Sequence, residues 1–269
     1  MMQKNEAQLL APWIQYYSRL FGADNLYIYD NGSTMPGVLH ILDQAEEAGV
    51  NVNRAHSEKS DFENKGGIIA RRIKELDEKD DYDFFFPLDC DEFIGVEREG
   101  ESPSFRKADI LEELAQYKDA KRVLFIGKGY DNHPAMTGMF RPTTEVRKTF
   151  FARQTCESLD IGFHDGKSKH GGGKRATNFV YAHYHWKPFE YAQRHTREKL
   201  GGRVPNFDRD TLIAHRDKRG AGHHLVKVLL HPDAASYYAA FKPEKYLRLS
   251  SFTDAMEEYG IPIPYSETS

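Results

Sequence analysis

The chain opens on a helical pattern. Leu9, Leu10, Trp13, Ile14, Tyr17, Leu20 and Phe21 recur every three or four positions, which puts one apolar stripe on a helix, and Gly22 supplies a stop signal. Asn25-Leu26-Tyr27-Ile28-Tyr29 then reads as a short strand, closed by the turn residues Asp30-Asn31-Gly32-Ser33. Pro36 begins a second helix, with Val38, Ile41, Leu42 and Ala45 on one face and Gly49 at its end. Val50 to Arg54 alternates weakly, as an edge strand does, and a helix through Ile69, Ile73 and Leu76 follows. Asp83 to Leu88 is a near-continuous apolar run, the pattern of a strand covered on both faces. This βαβαβ order predicts an α/β domain: a mostly parallel central sheet flanked by helices, with right-handed crossovers.

Beyond Ile94 the periodicity loosens. Ile110, Leu111, Leu114 and Tyr117 make one more amphipathic helix, and Arg122 to Ile126 one more strand. Gly127 to Arg175 is rich in Gly, His, Lys and Arg and keeps no sustained period, so it is expected to form functional loops over a site or a partly disordered segment. Phe179 to Trp186 restores strand character, Pro188 to Leu200 reads as a helix followed by Gly201-Gly202, and a helical tail with turns runs to about Pro264.

Composition narrows the class without naming it. With 269 residues, 39% of them hydrophobic, the chain is long enough for one large α/β domain with or without an appendage. A net charge of -4 gives no electrostatic case for a general nucleic-acid binder, so a phosphate-rich partner has to be met by local groups. Cys90 and Cys156, far apart, are neither a disulfide framework nor a metal-ligand spacing; a reducing compartment, the cytoplasm, is expected. No run approaches the roughly 18 apolar residues of a membrane span, and the start is not that of a signal peptide.

The chemistry concentrates at Asp89-Cys90-Asp91. An apolar strand that ends in two acids one residue apart presents carboxylates at its carboxyl end, where open α/β sheets bind ligands, and Glu92-Phe93-Ile94 then returns the chain to apolar character. Two carboxylates there suit Mg²⁺ or Mn²⁺, which take one or two protein carboxylates and leave their other positions to water and substrate phosphates.

Read in order, Lys4-Asn5-Glu6, Trp13-Ile14-Gln15-Tyr16-Tyr17, Tyr27-Ile28-Tyr29-Asp30-Asn31-Gly32-Ser33 and Pro87-Leu88-Asp89-Cys90-Asp91-Glu92-Phe93 resemble the family-2-like glycosyltransferases. The similarity is to the branch that carries Lys-Asn-Glu, Tyr-Asp-Asn-x-Ser and Asp-x-Asp-Glu-Phe, and it returns at His183-Tyr184-His185. It implies a GT-A fold: a Rossmann-like nucleotide-binding half over residues 1–95, an acceptor and metal-completing half over 96–200, and a C-terminal helical extension over 201–269. One departure is the start, where only Met1, Met2 and Gln3 precede Lys4 in place of the family's longer apolar stretch.

The resemblance implies roles residue by residue. Asn5 and Glu6, with Asp30, Asn31 and Ser33, would hold the nucleoside, since a carboxylate at a strand end accepts hydrogen bonds from ribose hydroxyls or a base N–H. Asp89 would approach the ribose or share the metal, Asp91 would bind the metal directly, and His185 would complete the shell. His183, on the same strand face, is the alternative. Mn²⁺ or Mg²⁺ would neutralise the diphosphate leaving group as a Lewis acid.

Further candidates come from the basic residues and the remaining acids. Lys65, Arg71 and Arg72, on the helix before the acidic motif, are phosphate candidates. Lys167, Lys169, Lys174 and Arg175 belong to a glycine-rich stretch expected to be a mobile loop that closes over bound donor. It is not a Walker A loop, because Ile161 stands where that motif needs Gly. Asp131, Asp165 and Glu157, with Glu92 beside the metal motif, are candidates for the general base. The Glu-Asp pair that marks the base in many inverting members is absent, which leaves inverting and retaining courses both open.

The implied activity is transfer of a sugar from a nucleotide-diphosphate donor, a UDP-sugar by family frequency, to a glycan or glycolipid acceptor in bacterial surface polysaccharide synthesis, without nucleic acid and with peripheral contact at the inner face of the membrane. Two other readings share the acids. A nucleotidyl- or phosphotransferase is disfavoured by the lack of a glycine-rich phosphate loop near the N-terminus, and a non-catalytic sugar-binding protein by the intact Asp-x-Asp.

Overall fold

Three short parallel strands carry the front of the molecule in the computed structural model, which describes residues 1–79, 81–145 and 147–266. Met2–Gln3 pairs with Tyr27–Asp30, and Tyr27–Asp30 with Asn51–Asn53. The crossovers are the helices expected from the apolar spacing, Leu10–Phe21 and Pro36–Glu47. The first ends where Gly22 takes φ +92°, a conformation that favours glycine. Ahead of the second, Asn5 Oδ1 accepts from the backbone N–H groups of Thr34 and Met35 at 2.9 and 3.1 Å, which ties the first loop to the helix entry.

The parallel pattern does not extend through the molecule. One four-stranded sheet runs in the order Lys174–Ala176, Val123–Ile126, Lys148–Ala152, Phe84–Phe85, and a five-stranded sheet in the order Leu247–Arg248, Met139–Thr143, Lys128–Asn132, Phe179–His183, Glu92–Val96. Both mix parallel and antiparallel neighbours. The molecule is thus α/β with several sheets. Of the apolar run from Asp83 to Leu88, only Phe84–Phe85 enters a ladder, because Pro87 has no N–H to give.

The largest departure from the sequence reading is Gly127 to Arg175. Its described residues contain six strands, from Lys128–Asn132 to Lys174–Ala176. Their inward positions include Asp131, Asn132, Lys148 and Thr149, all buried, so the alternation of apolar and polar residues that announces a strand is broken by polar groups facing inward.

The core joins the two ends of the chain. Tyr16 donates to the carbonyls of Ile94 and Phe105 at 2.6 and 3.2 Å, and Tyr17 donates to the Glu92 carbonyl while accepting from the Ile94 N–H, each at 2.9 Å. These bonds fix the Glu92–Val96 strand against the first helix. Phe252, on the helix Ser250–Glu258, packs its ring 5.6 Å from Phe93 and 5.7 Å from Phe140. The end of the expected C-terminal extension therefore belongs to the main core, while Leu212 and Val226 pack with Leu200 in a smaller cluster. Among the described residues no helix is long and apolar enough to cross a membrane.

Candidate metal centre at the acidic turn

Strand register builds the site. Phe179–His183 lies between Glu92–Val96 and Lys128–Asn132, so its last residue, His183, stands opposite Glu92 on one side and Asp131 on the other. The acidic turn is held down by buried Leu88 and Cys90 and by the Tyr184 N–H, which donates to the Asp91 carbonyl at 2.8 Å. One ligand atom each from Asp91, Glu92 and His183 falls within 4.8 Å of the others.

The histidine is oriented for ligation. Its Nδ1 is 3.1 Å from Asp131 Oδ1, and its Nε2 is 3.8 Å from Asp91 Oδ2. A carboxylate on Nδ1 fixes the tautomer that leaves the Nε2 lone pair free, the arrangement usual for a metal-bound imidazole. Burial lowers the His183 pKa, but the bond to Asp131 and the charges of Asp91 and Glu92 raise it above its ordinary value. Asp131 is itself steadied by Arg141, whose Nη2 lies 3.6 Å from Oδ2. Asp131 thus acts here as an orienting group for His183.

Asp89 has different surroundings. Its two carboxylate oxygens meet Lys65 Nζ at 2.7 Å and Lys148 Nζ at 2.5 Å. Lys148 also donates to the Gly162 carbonyl at 2.9 Å and pairs with Glu92 Oε1 at 2.9 Å, while the Asp89 N–H donates to Glu92 Oε2. Burial would raise the Asp89 pKa, yet the two ammonium groups hold it well below the carboxylate range. They in turn share two carboxylates, and Lys148 stays charged although its side chain is 2% exposed. Burial moves Glu92 upward. Gly66 makes the approach possible, since a Cβ there would run into the backbone of Leu159 and Asp160.

Of the expected metal set of Asp89, Asp91 and His185, the structure brings Asp91 together with Glu92 and His183. Asp89 is taken up by lysines. His185 packs its ring 5.0 Å from His183 and 4.6 Å from Trp186 and is exposed to solvent. Glu92, expected among the catalytic acids, is 1% exposed and accepts the Asp89 N–H within the turn, with a carboxylate oxygen near Asp91 and His183.

The nucleoside candidates form one hydrogen-bonded turn. Asp30 accepts from Gln3 Nε2 at 2.7 Å and from the Ser33 hydroxyl and N–H; Ser33 Oγ accepts from the Asn5 N–H; Asn31 donates to the carbonyls of His56 and Glu58. Glu6 pairs with Lys187 at 2.9 Å, which outweighs burial and keeps its pKa low. Arg72, paired with Glu75, lines with Arg71, Tyr29 and His56 a hollow of about 510 Å³ beside that turn.

The basic stretch is elsewhere. Lys167 lies in a hairpin against Ser158, Asp165 and Lys174 pair at 2.7 Å, and Arg175 stacks over Tyr117. Lys169 lines a separate hollow with Asp77 and Glu157. None of these four cations pairs with Asp89, Asp91 or Glu92 among the described residues, and part of the expected loop is strand, Gly166–Ser168 and Lys174–Ala176. The cations at the acids are Lys65, which the sequence reading included, and Lys148, which it missed; a lone lysine ahead of Thr149-Phe150-Phe151-Ala152 was its only signal.

Scanned against protein-family models and searched against curated proteins, the chain returns no match.

Proposed function

We propose that this protein is a metal-dependent glycosyltransferase that moves a sugar from a nucleotide-diphosphate donor, a UDP-sugar in first place, to a glycan or glycolipid acceptor. The observation that carries the reading is the His183 arrangement, one nitrogen on Asp131 and the other toward Asp91, set in an Asp-x-Asp-Glu turn. Two carboxylates and an imidazole fit Mn²⁺ better than Mg²⁺, because imidazole suits the transition metals and carboxylates suit both. Asp91, Glu92 and His183 would hold the ion, which when bound supplies Lewis-acid neutralisation of the diphosphate leaving group.

The chain's own residues do the rest. Asp131 keeps the proton on His183 Nδ1. Lys65 and Lys148 keep Asp89 ionised, and its remaining lone pairs suit ribose hydroxyls. The turn around Asp30, Ser33 and Asn5 presents the nucleoside side of the site, and the hollow with Tyr29, His56, Arg71 and Arg72 opens beside it.

The test is thermal stabilisation by UDP, GDP, CDP and TDP, each with and without Mn²⁺. UDP with Mn²⁺ is expected to raise the melting temperature most, and Asp91→Asn to remove the metal-dependent part. Equal responses to all four nucleotides, or none to any, would refute the reading.

A further inference from the structure

A second cavity, of about 270 Å³, lies past the end of the His183 strand. Its lining carries Arg141, Lys227, Lys242 and Lys245 and no carboxylate. Its walls include the rings of Trp186 and Tyr246. Lys242 and Lys245 are exposed at its rim, so the cavity presents positive charge beside aromatic surface.

The cavity is tied to the metal group. Arg141 stacks over Tyr246, 5.9 Å from guanidinium to ring centre, and also reaches Asp131, which orients His183. Asn132, next to Asp131, locks the Trp186 backbone in place: its side-chain amide donates to the Trp186 carbonyl at 2.7 Å and its Oδ1 accepts from the Trp186 backbone N–H at 2.9 Å. Lys227 Nζ sits 4.5 Å from the Trp186 ring centre. Lys242 and Lys245 are exposed and have no ion-pair partner among the described residues.

From these features we infer that the cavity is an acceptor subsite for a single sugar residue bearing an anionic group, a carboxylate or a phosphate. This rests on the glycosyltransferase reading for its role, but not for the binding itself. Aromatic walls pack against the apolar face of a pyranose ring, the cations meet its anionic group and hydroxyls, and the volume is at the low end of small-molecule pockets, about 300 Å³, enough for one ring rather than a chain. A neutral sugar would leave Lys242 and Lys245 without a counter-charge.

The chain has two tryptophans, so an ¹⁵N-labelled sample gives two indole N–H signals, and Trp186→Phe assigns them. Glucuronate, glucose 6-phosphate, glucose and inorganic phosphate are each titrated in without nucleotide or metal. Glucuronate or glucose 6-phosphate is expected to shift the Trp186 indole signal and not that of Trp13, the tighter of the two identifying carboxylate or phosphate as the anion. Glucose and inorganic phosphate are expected to need at least ten times the concentration. Lys242→Ala combined with Lys245→Ala, both on the surface, is expected to weaken the response at least tenfold. No shift with either anionic sugar, an equal shift with glucose or phosphate alone, or unchanged binding by the double variant would overturn the inference. Because neither nucleotide nor metal is present, failure here leaves the metal reading standing, and failure of the nucleotide screen leaves this binding to be judged by itself.

Discussion

Two groups of charges flank the same turn and behave in opposite ways. On one side Lys65 and Lys148 meet Asp89 and Glu92, two cations against two anions, with the Lys148 and Glu92 side chains 2% and 1% exposed. On the other, Asp91 and Asp131 face a histidine and a distant arginine, and Asp91 keeps 26% of its side chain open. The first group is neutralised within the protein, although the Asp89 side chain, at 27% exposed, is as open as that of Asp91; the second has no lysine partner among the described residues. Asp89 is thus matched by two lysines, Glu92 stands between Lys148 and the Asp91–His183 side, and Asp91 has no lysine within ion-pair distance among the described residues. The motif Asp-x-Asp alone does not say which acid falls in which group.

The sharpest way to break the comparison is to remove Lys148. Lys148→Met leaves Asp89 and Glu92 buried against a single remaining ammonium, and breaking a buried pair from one side is expected to destabilise the fold by about 3–5 kcal/mol, read by urea denaturation. A loss below about 1 kcal/mol would mean that water reaches the group. On the open side the effect should be on the metal instead. Asp131→Asn is expected to leave stability nearly unchanged while weakening Mn²⁺ affinity by about ten- to a hundredfold, the usual effect of losing an orienting partner, measured by calorimetric titration.

Acid should distinguish the protein's buried histidines from its carboxylates. His195, close to Glu6, is pushed down from 6.5 to about 3 by burial and by Lys199 and Lys187. Between those values the unfolded chain takes up a proton that the folded chain refuses, so stability falls as pH drops through that window, by up to about 1.4 kcal/mol per pH unit. His195→Gln is expected to flatten the slope between pH 6 and about pH 4; an unchanged slope would assign it to other groups. The smallest effect concerns the basic stretch. Alanine at Lys167, Lys169, Lys174 and Arg175 together is expected to change neither Mn²⁺ binding nor turnover, since none of them pairs with Asp89, Asp91 or Glu92 among the described residues; a large fall in turnover would return them to the site.

Much of this was legible in the chain. The helix Leu10–Phe21, the parallel strand Tyr27–Asp30 and the place of the acidic turn follow from apolar spacing and turn residues, which are local signals. What was not legible is long-range. His183 meets Glu92 and Asp131 through register across strands far apart in sequence, and no pattern around His183 favours it over His185 as the inward ligand. Lys148 hid for a related reason: a cation facing inward reads as an interruption of a strand until its carboxylates are in view.

The difference between Asp89 and Asp91 is tested most directly by Mn²⁺ binding to three proteins, wild type, Asp89→Asn and Asp91→Asn, followed by calorimetry or the Mn²⁺ resonance signal at a temperature where all three are folded. Wild type and Asp89→Asn are expected to bind the ion with affinities within a few-fold of each other, and Asp91→Asn to lose it. Loss of the ion in Asp89→Asn with retention in Asp91→Asn would contradict the assignment of Asp91, Glu92 and His183 as the metal group.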